Sequence, residues 1–463
     1  MDEGLSRDIR KWDLVALLVN VTVGAGIFKL PADVQKAVGN YSLLAFVVCA
    51  VVIGLIALCF AEVASRFTGT GGPYLYAKET FGSSVGFLIG WMMWLTRLAG
   101  FATLLLALVS YLGYFWPPAG SGLPRIAVIV GLVAFLTVIN LIGVRESTRT
   151  SDVLTVAKLV PLLVFVIVGS FFVKWSGFTL DAGVGLGSFS AAVFILIFAF
   201  SGFEAVLINT GEFREPQRVI PFALIVALGA CVVLFLLIQV VCIGTLPQLA
   251  ASERPLADAS AAFLGSWGPT MLSAGALVSV FGTLNVIMLT CSRMPFAMAL
   301  NGQLPAALAR ISPRSRTPHL SIIISALAIL VFALPGTFIY AVKFSVVTRV
   351  LTYASTCLAL PILRRRAKTA APPAPDDAPP FRVPGGDLLA ILCVLLCLWL
   401  LANSGWVEIR DVGIATAIGV AIYFATRFVR RNTLGPDKTL GRWWVALGSR
   451  GHGVMPARPR RRA

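Results

Sequence analysis

The sequence predicts an all-α integral membrane protein with twelve transmembrane helices, and three observations lead to this fold class. Of the 463 residues, 58% are hydrophobic and 13% are charged, whereas about 25% of residues are charged in typical soluble domains. Apolar runs of roughly 18 or more residues recur along the whole length, as membrane-spanning helices require. A transmembrane β-barrel is excluded because its strands alternate over short segments, and these runs do not. The third observation is the placement of Lys and Arg.

The basic residues are distributed unevenly between the loops, and this sets the predicted orientation. With the N-terminus inside, 27 of the 38 Lys and Arg residues lie in cytoplasmic stretches or at their edges, against 5 in the opposite loops. This excess predicts that both termini are on the cytoplasmic side of the cell membrane. The net charge of +17 therefore indicates topology and contact with anionic membrane lipid, and we expect no nucleic-acid partner. The predicted spans are 13–38, 42–66, 84–114, 125–143, 151–173, 188–210, 220–246, 267–299, 319–334, 338–361, 387–403 and 411–429.

A Pro- and Ala-rich loop divides the spans into ten plus two. Ten spans can form two sets of five, and since five is odd, the second set would run upside down relative to the first. This is the inverted-topology repeat of many secondary transporters. The predicted units are a cytoplasmic N-terminus (1–12), a ten-helix core (13–361) with repeats at 13–173 and 188–361, the cytoplasmic loop 362–386, two further helices (387–429) and a basic cytoplasmic tail (430–463).

Small residues interrupt the first and sixth spans, the corresponding positions of the two repeats. The first span contains Gly24, Ala25 and Gly26 in "GAGIF", and the sixth contains Ser201 and Gly202 in "FAFSGFE". An unwound helix frees backbone N–H and C=O groups that need partners in a membrane. The carboxylate and amine of an amino acid could be those partners. The alternative for a single interruption is close helix packing through small residues.

Three charged residues inside predicted spans are candidates for coupling or gating. Glu204 follows the second interruption, and an intramembrane carboxylate is costly enough to indicate a function, although a structural hydrogen bond is the alternative. Lys158 could replace a bound cation or carry a proton against span one, or its side chain could extend to the interface. Arg97 could face the substrate path or pair with Glu204 or Glu62.

Motifs for catalysis and metal binding are missing from the sequence. There is no HxxH, no CxxC, no Ser/His/Asp set and no phosphate-binding loop. All eight cysteines fall within predicted spans, and we expect them to be small buried residues. The sequence therefore predicts no enzyme activity, no cofactor and no metal.

Four segments together resemble the amino acid–polyamine–organocation superfamily of amino acid permeases. They are "VGAGIFKLP" at 23–31, "TGGPYLYAKETFG" at 70–82, "FAFSGFEAVLINTGEFREPQRVIP" at 198–221 and "SRMPFAMALNGQLPAALARI" at 292–311. The resemblance extends over about residues 10 to 365 in consistent order. It implies the LeuT-type fold, in which helices one and six are discontinuous and two peripheral helices follow the core.

The resemblance also implies the site residues. Backbone atoms of Val23, Gly24, Ala25, Gly26 and Ile27, and of Phe200, Ser201 and Gly202, would bind the substrate, with Phe198 as a gating aromatic residue. Glu204 matches the family's helix-six glutamate. Lys158 matches a helix-five lysine that stands in for a sodium ion, which favours sodium independence.

We therefore expect a transporter that works by alternating access and is either proton-coupled or an exchanger. A neutral L-amino acid is the favoured substrate, since Glu204 is the one mid-span carboxylate available for a cationic side chain and Arg97 opposes such a substrate. The loop after span three, "WPPAGSGLPR", has no Cys, so we expect no disulfide-linked glycoprotein subunit. The alternatives are a basic amino acid or polyamine antiporter, and a non-transporting sensor or a channel of the same fold.

Overall fold

The computed structural model describes residues 10–67, 71–143, 148–179, 183–213, 215–313, 315–369 and 381–434. These residues form helices joined by short turns. Residues 1–9, residues 370–380 of the Pro-rich loop and residues 435–463 of the basic tail lie outside the described ranges. The first eight helices are α1 (Lys11–Thr22), α2 (Ala25–Val38), α3 (Ser42–Ala64), α4 (Gly72–Phe81), α5 (Ser83–Phe115), α6 (Gly122–Ile142), α7 (Thr148–Gly169) and α8 (Leu186–Leu196).

The second half of the chain continues in the same way. Its helices are α9 (Phe203–Val206), α10 (Pro216–Thr245), α11 (Pro255–Leu264), α12 (Trp267–Leu300), α13 (His319–Ala333), α14 (Phe338–Thr369), α15 (Gly386–Ala402) and α16 (Trp406–Leu434). Every predicted span coincides with at least one of these helices. Among the described residues, seven helices are long and apolar enough to cross a membrane. An all-helical membrane fold is confirmed, while the count of twelve spans, the orientation of the termini and the division into repeats stay predictions.

Two predicted spans are interrupted in the structure. The segment 13–38 is two helices, with α1 ending at Thr22 and α2 beginning at Ala25. The segment 188–210 is α8, a non-helical stretch, the short α9 and then a 3₁₀ turn over Leu207–Glu212. Glycine lies at both interruptions, and it is the residue that loses most conformational freedom in a helix.

Apolar surface divides into an internal face and an outward face on the peripheral helices. On α15, Leu388, Ile391 and Leu395 are exposed, whereas Cys393 and Cys397 are fully buried. Exposed apolar residues spaced three or four apart form one stripe of a helix, and such a stripe suits contact with lipid. The buried stripe packs against α14 and α3.

The two broken helices pack against each other crosswise. α2 contacts α8, and α1 contacts α9, so each half of one broken helix contacts the opposite half of the other. α5, α12 and α14 pack around them. This arrangement brings both interruptions to one place.

Candidate functional site

The first interruption leaves the start of α2 without a side-chain cap. Gly24 is the residue before α2, and no side chain accepts a hydrogen bond from the first N–H groups of this helix. The N–H of Gly24 donates to the carbonyl of Thr22 over 2.9 Å. The first N–H groups of any α-helix have no partner within the helix, and the positive end of the helix dipole lies there. The start of α2 can therefore accept an anionic group.

The second interruption is held by short local contacts. The hydroxyl of Ser201 donates to the carbonyl of Phe198 at 2.7 Å. Gly202 has a φ of +116°, a conformation that residues with a Cβ rarely adopt. Phe200 is buried between Phe46 and Phe235, so this residue can offer a ligand its backbone only.

Glycine allows the two interruptions to approach closely. A Cβ placed on Gly26 would lie 3.1 Å from Cα of Ala199 and 3.2 Å from Cδ1 of Phe198. A Cβ on Gly202 would lie 2.7 Å from Cγ1 of Val21 and 3.1 Å from its carbonyl oxygen. Both glycines are therefore needed for contact between α1–α2 and α8–α9. Val23 and Ile27 are buried beside them, and α2 begins at Ala25.

Glu204 has three partners in this arrangement. Its Oε2 accepts hydrogen bonds from the N–H of Gly202 at 2.9 Å and from the hydroxyl of Tyr353 at 3.0 Å. Its Oε1 lies 3.0 Å from Nε of Arg349, and both side chains are about nine-tenths buried. A buried carboxylate is tolerated when it is paired and hydrogen-bonded in this way. Glu204 thus connects the second interruption to α14.

Arg349 is only partly satisfied by this pair. Its contact with Glu204 is ionic, because neither Nε nor Nη1 makes a directed hydrogen bond to a residue in the described ranges. Its guanidinium carbon lies 5.8 Å from the ring centre of Phe198. An arginine over an aromatic ring gains a further attraction from the ring's electrons. Arg349 therefore lies directly beside the second interruption.

Arg97 takes part in the same electrostatic environment without touching either candidate carboxylate. Its Nη1 donates to the hydroxyl of Thr290 on α12 at 2.8 Å. The charges of Glu204 and Arg349 both act on it. The surroundings of the second interruption thus contain two cations, Arg97 and Arg349, and one anion, Glu204, an excess of one positive charge.

Lys158 contacts the end of α1. Its ammonium donates to the carbonyl of Asn20, and the residue is 4% exposed. The last carbonyls of a helix have no partner within the helix and carry the negative end of its dipole. The lysine thus supplies a positive charge to carbonyls beside the first interruption.

Glu62 belongs to a separate ion-pair network. Arg364 binds it through two parallel contacts of 2.8 and 2.7 Å, and Arg66 contacts it at 2.8 Å. The N–H of Val383 donates to it at 2.8 Å. Every oxygen of this carboxylate is occupied, and the network joins α3 to α14 and to the segment before α15. Its role is structural.

Sequence reasoning placed Glu204, Phe198 and the glycines but gave Arg349 and Tyr353 no role. Both lie on α14, four residues apart, which puts them on one face of the helix. That spacing, in a segment with few charges, was the signal available in the sequence.

Comparisons with known proteins give the family of the chain. The family model for amino acid permeases matches residues 9–426. The chain is 27% identical to a branched-chain amino acid permease of Bacillus subtilis, over 91% of this chain and 93% of that protein. It is 28% identical to a methylthioribose transporter of the same organism, over 91% and 94% of the two chains. A serine/threonine exchanger of that organism is 27% identical, over 91% and 96%.

These matches extend over nearly the whole length of this chain and of each relative, in agreement with the helical fold and the spans. They confirm the resemblance noted in the sequence and the expectation that the chain is a transporter and not an enzyme. The chain belongs to the amino acid permease family of multi-pass membrane transporters.

Proposed function

We propose that this chain is a secondary active transporter that moves neutral L-amino acids across the cytoplasmic membrane by alternating access. The observation that carries the proposal is the close approach of the two helix interruptions, which Gly26 and Gly202 permit. Backbone groups freed at both interruptions then face one another. An amino acid can pair with them through its carboxylate and its amine, which every amino acid shares.

The polarity of the interruptions suggests which end of the substrate each one binds. The uncapped start of α2 suits the carboxylate. The carbonyls at the end of α1, including that of Val21 beside Gly202, suit the ammonium group. The crosswise packing of α1 on α9 and of α2 on α8 supports two inverted five-helix repeats of the LeuT type, with α15 and α16 outside them.

The charge of the site supports a neutral substrate over a basic one. Arg97 and Arg349 outnumber Glu204, and Glu204 is already paired. A cationic side chain would add a third positive charge where little water screens it. We therefore regard basic amino acids and polyamines as less favoured substrates than neutral amino acids.

A second candidate, transport of acidic amino acids, is favoured by one observation. Nη1 of Arg349 is buried and has no hydrogen-bond partner among the described residues, although buried donors are almost always paired. A side-chain carboxylate seated against Phe198 would supply that partner.

Lys158 supports sodium independence, because its ammonium occupies a carbonyl of α1 that a bound cation would otherwise contact. Coupling is then to protons or to a second amino acid. Uptake compared with and without sodium, and with and without a pH gradient, tests this part. Strict dependence on sodium contradicts it.

The experiment that tests the proposed function is counterflow of labelled leucine or alanine into proteoliposomes preloaded with unlabelled amino acid. The competitors are leucine, alanine, glutamate, arginine, putrescine and methylthioribose, added singly. Accumulation that neutral amino acids inhibit best supports the proposal, and best inhibition by glutamate supports the second candidate. Strongest inhibition by arginine or putrescine refutes both. Binding without accumulation indicates a sensor, and equilibration without acceleration by preloading indicates a channel.

A further inference from the structure

Three buried cysteines from three helices meet, and one of them, Cys357, lies one helical turn beyond Tyr353 on α14. Cys59 lies on α3, Cys357 on α14 and Cys393 on α15, and their Sγ atoms all lie within 4.8 Å of one another. The Sγ atoms of Cys59 and Cys393 are 3.8 Å apart. We propose that these residues, here called the three-cysteine cluster, bind a soft monovalent metal ion of the Cu(I) class.

The distances within the cluster fit one ion between three sulfurs. Metal–thiolate bonds are about 2.3 Å long, so three sulfurs around one ion in a plane lie about 4 Å apart. The observed separations, 3.8 Å for one pair and up to 4.8 Å for the others, need adjustments of about an ångström or less to reach that value. Rotation about a cysteine χ1 angle or a small helix shift supplies this movement.

The ligand set selects the kind of ion. Thiolates prefer Cu(I) and Zn²⁺ to hard cations such as Mg²⁺ and Ca²⁺. Structural zinc sites take four protein ligands, whereas over the described ranges no fourth cysteine, histidine or carboxylate joins the cluster within the same distance. An ion that accepts three ligands is therefore the better fit.

The surroundings place two guanidinium groups near the cluster. Three thiolates and one monovalent cation carry a net charge of −2, which is costly in an apolar interior. Glu62 follows Cys59 by one helical turn on α3, and Arg364 follows Cys357 by two turns on α14. Arg66 and Arg364 both contact Glu62, and Arg364 also lies 3.7 Å from Asp387, so the network is neutral overall while its two guanidinium groups can offset part of the negative charge of the cluster.

Binding balances without any oxidant. Three S–H bonds break, three protons leave, and three S–metal bonds form, while the ion keeps its oxidation state. The bound ion would join α15, at the periphery, to α3 and α14. A ligand that binds only the folded protein stabilises it, so occupancy should raise the melting temperature.

The alternative to metal binding is that the three cysteines are small residues that only fill the packed interior, as the other buried cysteines do. Cys49 lies on the same helix as Cys59 and Cys242 lies on α10; both are fully buried, and neither belongs to a group of possible metal ligands in the described part of the chain. They provide matched controls. The cluster departs from the sequence-based expectation of inert thiols because that expectation considered spacing along the chain and not in space.

The test is a titration of the full-length protein in nanodiscs, reduced and without oxygen, with Cu(I) in competition with bicinchoninate. We expect one equivalent to bind, with ultraviolet absorption from Cu(I)–thiolate bonds, three sulfur neighbours by X-ray absorption and a higher melting temperature. Cys59→Ser, Cys357→Ser and Cys393→Ser should each weaken binding at least tenfold. Cys49→Ser and Cys242→Ser should leave it unchanged.

Two results would overturn the proposal. One is failure of the wild-type protein to take up Cu(I) from the competitor. The other is equal loss of binding in the control variants and the cluster variants, or no loss in any of them. Gel filtration and amino acid counterflow verify folding, and alanine replaces serine wherever a serine variant misfolds, so that each position still gives an answer.

Discussion

Gly202→Ala should disable the proposed binding site through a single added carbon atom. Gly202 has a φ of +116°, where an alanine costs about 1–3 kcal/mol. The new Cβ would also lie 2.7 Å from Cγ1 of Val21. Ordinary carbon–carbon contacts are about 3.5–4.0 Å, so the end of α1 would have to move by about 1 Å or the second interruption would have to open.

The expected loss of affinity follows from two free-energy costs, the backbone strain at residue 202 and the steric overlap with Val21. Forcing an extra carbon into a packed interior costs about 1–3 kcal/mol. The two lower limits together come to about 2 kcal/mol, which reduces the population of the intact arrangement about 30-fold. Substrate affinity, measured as the concentration that half-saturates counterflow, should weaken by at least that factor.

The second variant needed is Gly202→Ala combined with Val21→Ala. Removing Cγ1 of Val21 relieves the closest contact but leaves the backbone strain and the contact with the Val21 carbonyl. We therefore expect recovery of about 1 kcal/mol, or roughly fivefold in affinity, as a coupling between neighbouring sites.

The control is Gly229→Ala on α10, because no atom lies within 4 Å of a Cβ there. It should leave counterflow unchanged and add slight helix stability. All variants are compared at equal amounts of folded protein in the same proteoliposomes. Normal affinity in Gly202→Ala would refute the reasoning, because it would mean that the two interruptions need not meet for substrate to bind.

Three further predictions concern buried charged side chains, and they are tested by counterflow or by the melting temperature. Glu204→Gln keeps the side-chain volume but leaves Arg349 buried and unpaired, which costs about 3–5 kcal/mol. Counterflow should therefore fall more than tenfold. Adding Arg349→Met should restore the melting temperature, and such a recovery would show that the unpaired charge, not a general loss of folding, caused the decrease. Lys158→Met should abolish counterflow in the absence of sodium, because the carbonyl of Asn20 loses its cationic partner; normal counterflow would refute this role, and rescue by sodium would support the lysine as a substitute for a bound cation. Arg364→Met leaves Glu62 with only Arg66 and the N–H of Val383 as partners, so the penalty should be smaller than for Glu204→Gln, but the melting temperature should still fall more than substrate affinity changes; an unchanged melting temperature would argue against the network.

The interruptions could be predicted from sequence because their causes are local. Gly24 and Gly26 lie in one three-residue stretch of the chain. At the second interruption, Gly202 alone provides the residue that can adopt a positive φ. Helix ends were less predictable. The tenth span was predicted to end at residue 361, whereas α14 continues through Pro361 to Thr369, because Arg and Lys are good helix formers once the chain leaves the apolar layer.

The partners of the buried charges could not be predicted, because they depend on distant parts of the chain. Tyr353 and Glu204 are 149 residues apart, and Arg364 and Glu62 are 302 apart. Arg97 was an equally reasonable partner for either carboxylate on the basis of depth. The packing of α14 against the other helices decides among these pairings. That packing cannot be deduced from a single sequence.

The proposed site divides recognition between two kinds of group. Under the proposed function, the backbone at Gly24 and Gly202 would contact atoms that all amino acids share, so we expect changes there to weaken every substrate alike. Arg349 and Arg97 lie where charge distinguishes one side chain from another, so changes there should reorder the competitors. In this chain we expect the positive charge of Arg349 beside Phe198 to disfavour cationic side chains among the competitors.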